Sequence, residues 1–383
     1  MEYTIVPSLK YQALLRIVTA LWNRQNIRKL TWLSFHSSRH QFLEPLLKVI
    51  KDDINQLPLP KVLKCELMRL NEGVRLEIYK WNEYHNNEYR MNTIMPQNIF
   101  WDPIGSINYK KTAECLIQNT ALRITGRFFL ACMYGLENSI NELWNIMNTN
   151  DQLYFLLSHF YFIYYWVEIL RDPHVEGIYN DTLRKFNAGE AIFVFESSLN
   201  KCDIFVSEYI FQKLRPEDKL ILINWFEIIS SAIYLSFKRR YSVANLFYTD
   251  TLCWLLHKLE KQERQRMLEM HSFSILFCYL QWPRQEFFME MARYLFKFLS
   301  GKHFGYLLVE IAYKRAHAKD FDYGSLFEQF WRQSLEIHKK YVIGKKSLKL
   351  AFYHMFTVRD IQNIKMIFES TIDKQKQCIL KSE

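Results

Sequence analysis

A chain of 383 residues with a formal charge of +10 is longer than one hydrophobic core supports, since single cores stop growing at roughly 250 to 300 residues, so two domains or one elongated array are expected. Ten Gly and nine Pro leave little material for tight hairpins or phosphate loops, which argues against all-β and α/β plans and for helices joined by short turns. The positive balance suits an acidic protein, a membrane surface or nucleic acid and by itself selects none of them.

The first block reads as helix. "LKYQALLRIVTALWN" spaces Leu14, Ile17, Val18 and Leu21 along one helical face, and "KVLKCELMRLNEGVRLEIYKW" repeats the pattern with Leu63, Leu67, Leu70 and Val74. Residues 1–81 are therefore expected as a small N-terminal helical bundle. Glu2 and the absence of an apolar opening stretch predict no secretory signal. In "HSSRH", His36 and His40 stand four apart, a chelating geometry on a helix, but no third ligand and no H-E-x-x-H glutamate accompany them, so no metal site is expected.

Periodicity then disappears in "NEYHNNEYRMNTIMPQNIFWDPIGSINY", and residues 82–106 are expected as a polar linker. From residue 107 to 383 helix follows helix, with polar interruptions at "RDPHVEGIYNDTLRKFNAGEA" and turns at Pro216 and Pro283. Pro216 with Glu217 and Asp218 has the composition of a helix start.

"LACMYGLENSINELWNIM", Leu130 to Met147, reads as a helical hairpin. Gly135 is expected to end its first helix, Ser139 with Glu142 to form a capping box, and Ile140, Leu143, Trp144 and Met147 to form one apolar stripe. Ala131 and Gly135 leave room for a neighbouring helix. A weaker echo runs from Leu350 to Phe368, without a fixed period linking the two.

On these residues the hairpin resembles a degenerate ankyrin-type helical pair, with A-x-x-x-G ahead of an apolar stripe and without the T-P-L-H opening. Together with "PSLKYQALLRIVTALWN" and "WDPIGSINYKKTAECL", it also resembles segments of a lineage-expanded group of arachnid all-helical proteins. That resemblance covers chiefly residues 1–150, implies an all-helical ankyrin-like protein and brings no activity with it. The expected fold is all-α: stacked antiparallel helical hairpins forming an irregular α-solenoid after the N-terminal bundle.

"LILINWFEIISSAIYLSF", Leu220 to Phe237, has nearly spanning length but includes Asn224 and Glu227, so a transmembrane helix is not expected. The 29 Phe, 23 Tyr and 10 Trp are spread along nearly every candidate helix, as core filler is, although stacking platforms would use the same residues. Seven cysteines without a C-x-x-C point to a reducing, cytoplasmic setting.

None of the motifs completes a catalytic pattern. "KKYVIGKKSLK" places Lys339 where a P-loop needs glycine, and no G-x-G-x-x-G or G-x-S-x-G occurs. His159 in "FLLSHFYFIYYW" reads as a core or groove residue. Basic residues concentrate in "FKRRY", with Lys238, Arg239 and Arg240, and in "HKKYVIGKKSLK", with Lys339, Lys340, Lys345, Lys346 and Lys349. From His338 to Glu383 ten Lys or Arg stand against four acids, more than half of the whole excess. The eight residues of the two clusters form the candidate basic contact surface. The expected function is a non-catalytic scaffold that binds a protein or peptide and uses no cofactor. The alternatives are a nucleic-acid-binding helical stack working through the basic C-terminal region, or a helical enzyme with a site assembled from distant residues.

Overall fold

Apolar residues recurring every three to four positions, short polar links and scarce glycine leave the backbone one economical way to satisfy its hydrogen bonds, the α-helix. The computed structural model describes residues 7–36, 43–86, 98–156, 160–171, 188–239, 244–345 and 348. Within them the chain is all-helical. In chain order the helices are α1 (Leu9–Trp22), α2 (Gln25–His36), α3 (Leu43–Gln56), α4 (Lys61–Asn86), α5 (Tyr109–Ile117), α6 (Ile124–Met133) and α7 (Glu137–Ile146). There follow α8 (Thr149–Leu156), α9 (Tyr161–Arg171), α10 (Ala188–Asn200), α11 (Ile204–Lys213), α12 (Ile221–Arg239) and α13 (Ala244–Lys258). The remaining helices are α14 (Lys261–Met270), α15 (Ser272–Tyr279), α16 (Phe288–Leu295), α17 (Gly301–His317), α18 (Tyr323–Gln333) and α19 (Glu336–Gly344).

Side-chain caps define several of the starts. Ser8, Asn108, Asp203, Ser300 and Asp322 each accept a hydrogen bond from the backbone N–H three residues on, satisfying donors that the first helical turn leaves open. Pro216 opens a 3₁₀ turn, Pro216–Leu220, that leads into α12 as its composition predicts. The Ser139–Glu142 capping box is not formed. α7 begins at Glu137 with Leu136 as its cap residue, so Ser139 lies inside the helix, because the preceding turn already supplies an exit geometry that starts α7 earlier.

Among the described residues the chain divides into two units. One holds Ser8–Leu67 and Val74–Leu259; the other holds Pro7, Met68–Gly73 and everything from Glu260 onward. The expected boundary at residue 81 falls inside α4. The described end of the expected linker, residues 98–106, is part of the larger unit. Trp101 bridges Ile107 across a turn in which Gly105 takes φ +100°, Tyr11 Oη donates to the Ile104 carbonyl at 2.8 Å, and Asn23 exchanges two hydrogen bonds of 3.1 Å with the Ile99 backbone.

In the larger unit Leu14, Leu15, Val18, Leu21 and Trp22 of α1 are buried, as are Phe128 to Met133 of α6 and Ile140, Leu143 and Trp144 of α7. In the smaller unit α17 packs against α18 and α19, and Phe288, Phe296, Phe304 and Phe330 form a ring cluster with centroids 4.8 to 6.5 Å apart. Beside it, Gln285 and Tyr323 both donate to Asp320, at 2.6 and 3.2 Å. Among the described residues one stretch, Pro216–Phe237, is long and apolar enough to cross a membrane, and 28% of its apolar window is buried.

Candidate interaction site

The hairpin singled out in the sequence has a counterpart in the larger unit with matching helix ends. α6 ends at Met133 and α10 at Asn200; α7 runs Glu137–Ile146 and α11 runs Ile204–Lys213. The step from Met133 to Asn200 is also the step from Glu137 to Ile204 and from Ile146 to Lys213. Both second helices close on an extended residue, Met147 or Leu214.

The turns are the same device. In the first, Leu136 N–H donates to the Ala131 carbonyl at 2.9 Å and Gly135 N–H to Cys132 at 3.3 Å; in the second, Asp203 N–H donates to Ser198 at 2.8 Å and Cys202 N–H to Leu199 at 3.0 Å. Both are Schellman closures that satisfy the last carbonyls of the first helix. Each places one residue in the left-handed region, Gly135 at φ +60° and Cys202 at φ +57°.

The two hairpins also meet. Tyr209 of α11 packs its ring over Gly135, where a side chain on Gly135 would overlap the ring, and its hydroxyl donates to Glu137 at 2.8 Å. Lys213 approaches the same carboxylate at 3.5 Å. Burial first, then Tyr165 and Glu137, push the Tyr209 hydroxyl pKa far above its ordinary value. Between the hairpins stands α9, which packs against both α6 and α10 and sends Trp166 Nε1 to the Cys132 carbonyl at 3.1 Å. The first helices α6, α9 and α10 thus lie side by side, and Tyr164 of α9 and Phe193 of α10 are half exposed on them.

A second group of side chains ties these helices to α4. Glu77, Lys80, Tyr84 and His85 are all buried on one face of α4. Lys80 Nζ lies 2.8 Å from Asp250 of α13 and 3.4 Å from Glu77, and Tyr84 Oη donates to Asp203 at 2.6 Å. His85 Nδ1 lies 2.7 Å from the Trp81 carbonyl, which can only accept, so Nδ1 carries the proton; Nε2 therefore accepts from Tyr134 Oη at 2.9 Å. Burial holds the His85 pKa down at about 4, against the raising effect of the Trp81 carbonyl. The phenol of Tyr109 is pushed well up, chiefly by burial and further by Glu77, Tyr134 and Asp250. These groups satisfy one another largely away from solvent, so they act as staples from α4 to α6, α11 and α13.

α11 and α13 are joined once more nearer the surface. Glu208 accepts from Trp254 Nε1 at 2.6 Å, Lys258 at 2.7 Å and Gln212 at 2.9 Å. Partial burial works against the charged carboxylate, but these donors outweigh it and hold the pKa below the usual range.

The eight predicted basic residues fall in different places. Lys238 and Arg239 close α12 in the larger unit, and Arg240 lies outside the described residues. In the smaller unit Lys339 is tied to Glu336 at 2.9 Å, Lys340 is exposed on α19, and Lys345 lies over the Tyr341 ring at 5.5 Å; Lys346 and Lys349 lie outside the described residues. His36 ends α2, while His40, His159 and the Leu350–Phe368 echo lie outside the described residues. Among the described residues no group of three or more His, Cys, Asp or Glu could hold a metal ion. Tyr209, the side chain that joins the hairpins, carries no local pattern; only its register with Glu142, the corresponding position of the matching helix, could have pointed to it. No protein-family model, no curated protein and no solved structure matches the chain.

Proposed function

We propose that this chain is a non-catalytic interaction scaffold, in which the hairpins of the larger unit form an irregular, degenerate ankyrin-like α-solenoid and the layer α6, α9 and α10 receives a protein or peptide partner. The observation that carries the reading is the recurrence of one hairpin, turn for turn, from Gly135 to Cys202. That interval is two of the roughly 33-residue periods of ankyrin arrays, and α9 packs against both first helices. Arrays of this kind bury one face of each hairpin on its neighbours and leave the other for partners. Here the open face carries aromatic side chains, Tyr164 and Phe193, of the type enriched at binding hot spots.

Selection of displayed peptides on the purified chain tests the proposal. Binders are expected to lose roughly tenfold in affinity on combined Tyr164→Ser and Phe193→Ser substitution, with helicity by circular dichroism retained. A selection without saturable binders, or binders indifferent to both changes, overturns it. Strongly salt-dependent binding of labelled nucleic acid, lost on Lys340→Glu with Lys345→Glu, would favour the nucleic-acid reading instead.

A further inference from the structure

We propose that α12 is a self-association face, on which a second copy of this chain packs antiparallel, crossing at Ile228. The proposal is separate from the α6, α9 and α10 layer and does not depend on it. α12 buries one side, Leu222, Phe226, Ile229 and Ile233, while packing against α13. Along the adjoining side Ile221, Trp225, Ile228, Ala232 and Leu235 follow one another in steps of four and three, the spacing of a seam that faces another helix. None of these five is buried: Ile228 is 53% exposed, Leu235 is 49% exposed and the other three are half-buried. Contiguous apolar residues at a helix surface, unlike single ones, mark an interaction face.

Size and charge select the occupant. A copy turned antiparallel about Ile228 sets Ile221 against Leu235, and brings Trp225, the largest side chain of the seam, within one residue of Ala232, the smallest. The same pairing brings Glu217 and Asp218, in the turn ahead of one helix, opposite positions Arg239 and Lys238 at the end of the other. A parallel copy would set Trp225 on Trp225 and like charges on like charges. Lys219, which would blunt the acidic end, is turned onto the Phe211 ring at 4.8 Å. Arg215 pairs with both carboxylates within its own chain, yet the Glu217 side chain stays 62% exposed. The contact is isologous, each copy giving and receiving the same residues, so it closes at two.

Sedimentation equilibrium of the full chain over a concentration series reads the outcome. The wild type is expected to sediment as a reversible dimer. Ile228→Arg puts two like charges face to face at the crossing and should raise the dissociation constant by more than about thirtyfold, as loss of an interface anchor does. It lies on the solvent side of α12, and an unchanged circular dichroism spectrum verifies the fold. Glu217→Arg alone or Arg239→Glu alone should weaken the dimer by up to about fivefold, the effect of a rim ion pair, and the two together should restore it. That charge exchange decides the matter even if Ile228→Arg fails to fold. A wild type that stays monomeric, a dimer indifferent to Ile228→Arg, or a monomer that binds vesicles of anionic phospholipid through α12 overturns the proposal.

Discussion

Gly135 and Cys202 occupy the same left-handed backbone position, each at the turn between two helices of one hairpin type. Glycine takes that conformation freely; a residue with a Cβ is strained there by roughly 1 to 2 kcal/mol. Cys202→Ala keeps the strain and loses the buried thiol, whereas Cys202→Gly loses the same thiol and relieves the strain. Glycine's larger unfolded-state entropy offsets part of the relief. The glycine variant is expected to be more stable than the alanine variant by about 0.5 to 1 kcal/mol in urea unfolding. Equal stabilities would mean that the turn does not demand a left-handed residue.

Gly135 bears a second constraint, the Tyr209 ring lying against it. Gly135→Ala is expected to cost about 2 to 5 kcal/mol, the left-handed penalty plus the cost of displacing a packed ring. In a Tyr209→Ala background the same substitution should cost only about 1 to 2 kcal/mol, because the ring is gone and the backbone strain remains. A double-mutant cycle in urea measures the coupling. Additive costs would separate the two hairpins energetically.

The helical class, the first-block core residues Leu14, Val18 and Leu21, the role of Gly135 and the stripe of α7 are all legible in the sequence, because each depends on contacts a few residues apart. The repeat is not. Cys202 stands where the first hairpin has Gly135, and Ser207 where it has Ile140, so matching residue types conceals what matching backbone positions reveals. Ser207 is tolerated inside because its hydroxyl reaches Ser198 at 2.7 Å and the Asp203 carbonyl at 2.7 Å. The staples of α4 are hidden for a different reason. Glu77, Lys80, Tyr84 and His85 look like a solvated helix face, and their partners, Asp250, Asp203 and Tyr134, are far away in the chain.

His85 makes stability depend on pH with a definite sign. The folded chain keeps the ring neutral down to about 4, while the unfolded chain takes up the proton near 6.5. Between those values the unfolded state binds more protons, so stability is complete above about 6.5 and falls as pH drops toward 4. The contribution is about 3 kcal/mol for a shift of this size. His338 in the smaller unit, lowered by burial against the Leu299 carbonyl, acts with the same sign. Glu208 is lost at still lower pH, because its folded pKa lies below the ordinary carboxylate value. His85→Gln should remove most of the slope between pH 6.5 and 4 in chemical unfolding followed by far-ultraviolet dichroism. A slope that survives the substitution would assign the acid sensitivity to other groups.

Lys80 carries the remaining prediction. Its ammonium is buried with Asp250 at 2.8 Å and Glu77 at 3.4 Å, and Glu77 is as buried as the lysine. Removing the lysine takes a shared cation from two carboxylates, one of them buried, which costs more than the set contributes when complete. Lys80→Met should therefore destabilise the chain by about 3 to 5 kcal/mol. Converting all three residues together, with Lys80→Met, Glu77→Gln and Asp250→Asn, should recover much of that loss although it removes more interactions, because these three charges no longer have to be desolvated. The two variants are compared by urea unfolding at neutral pH. A triple variant less stable than the single one would mean that the carboxylates are held by other partners strongly enough to matter on their own.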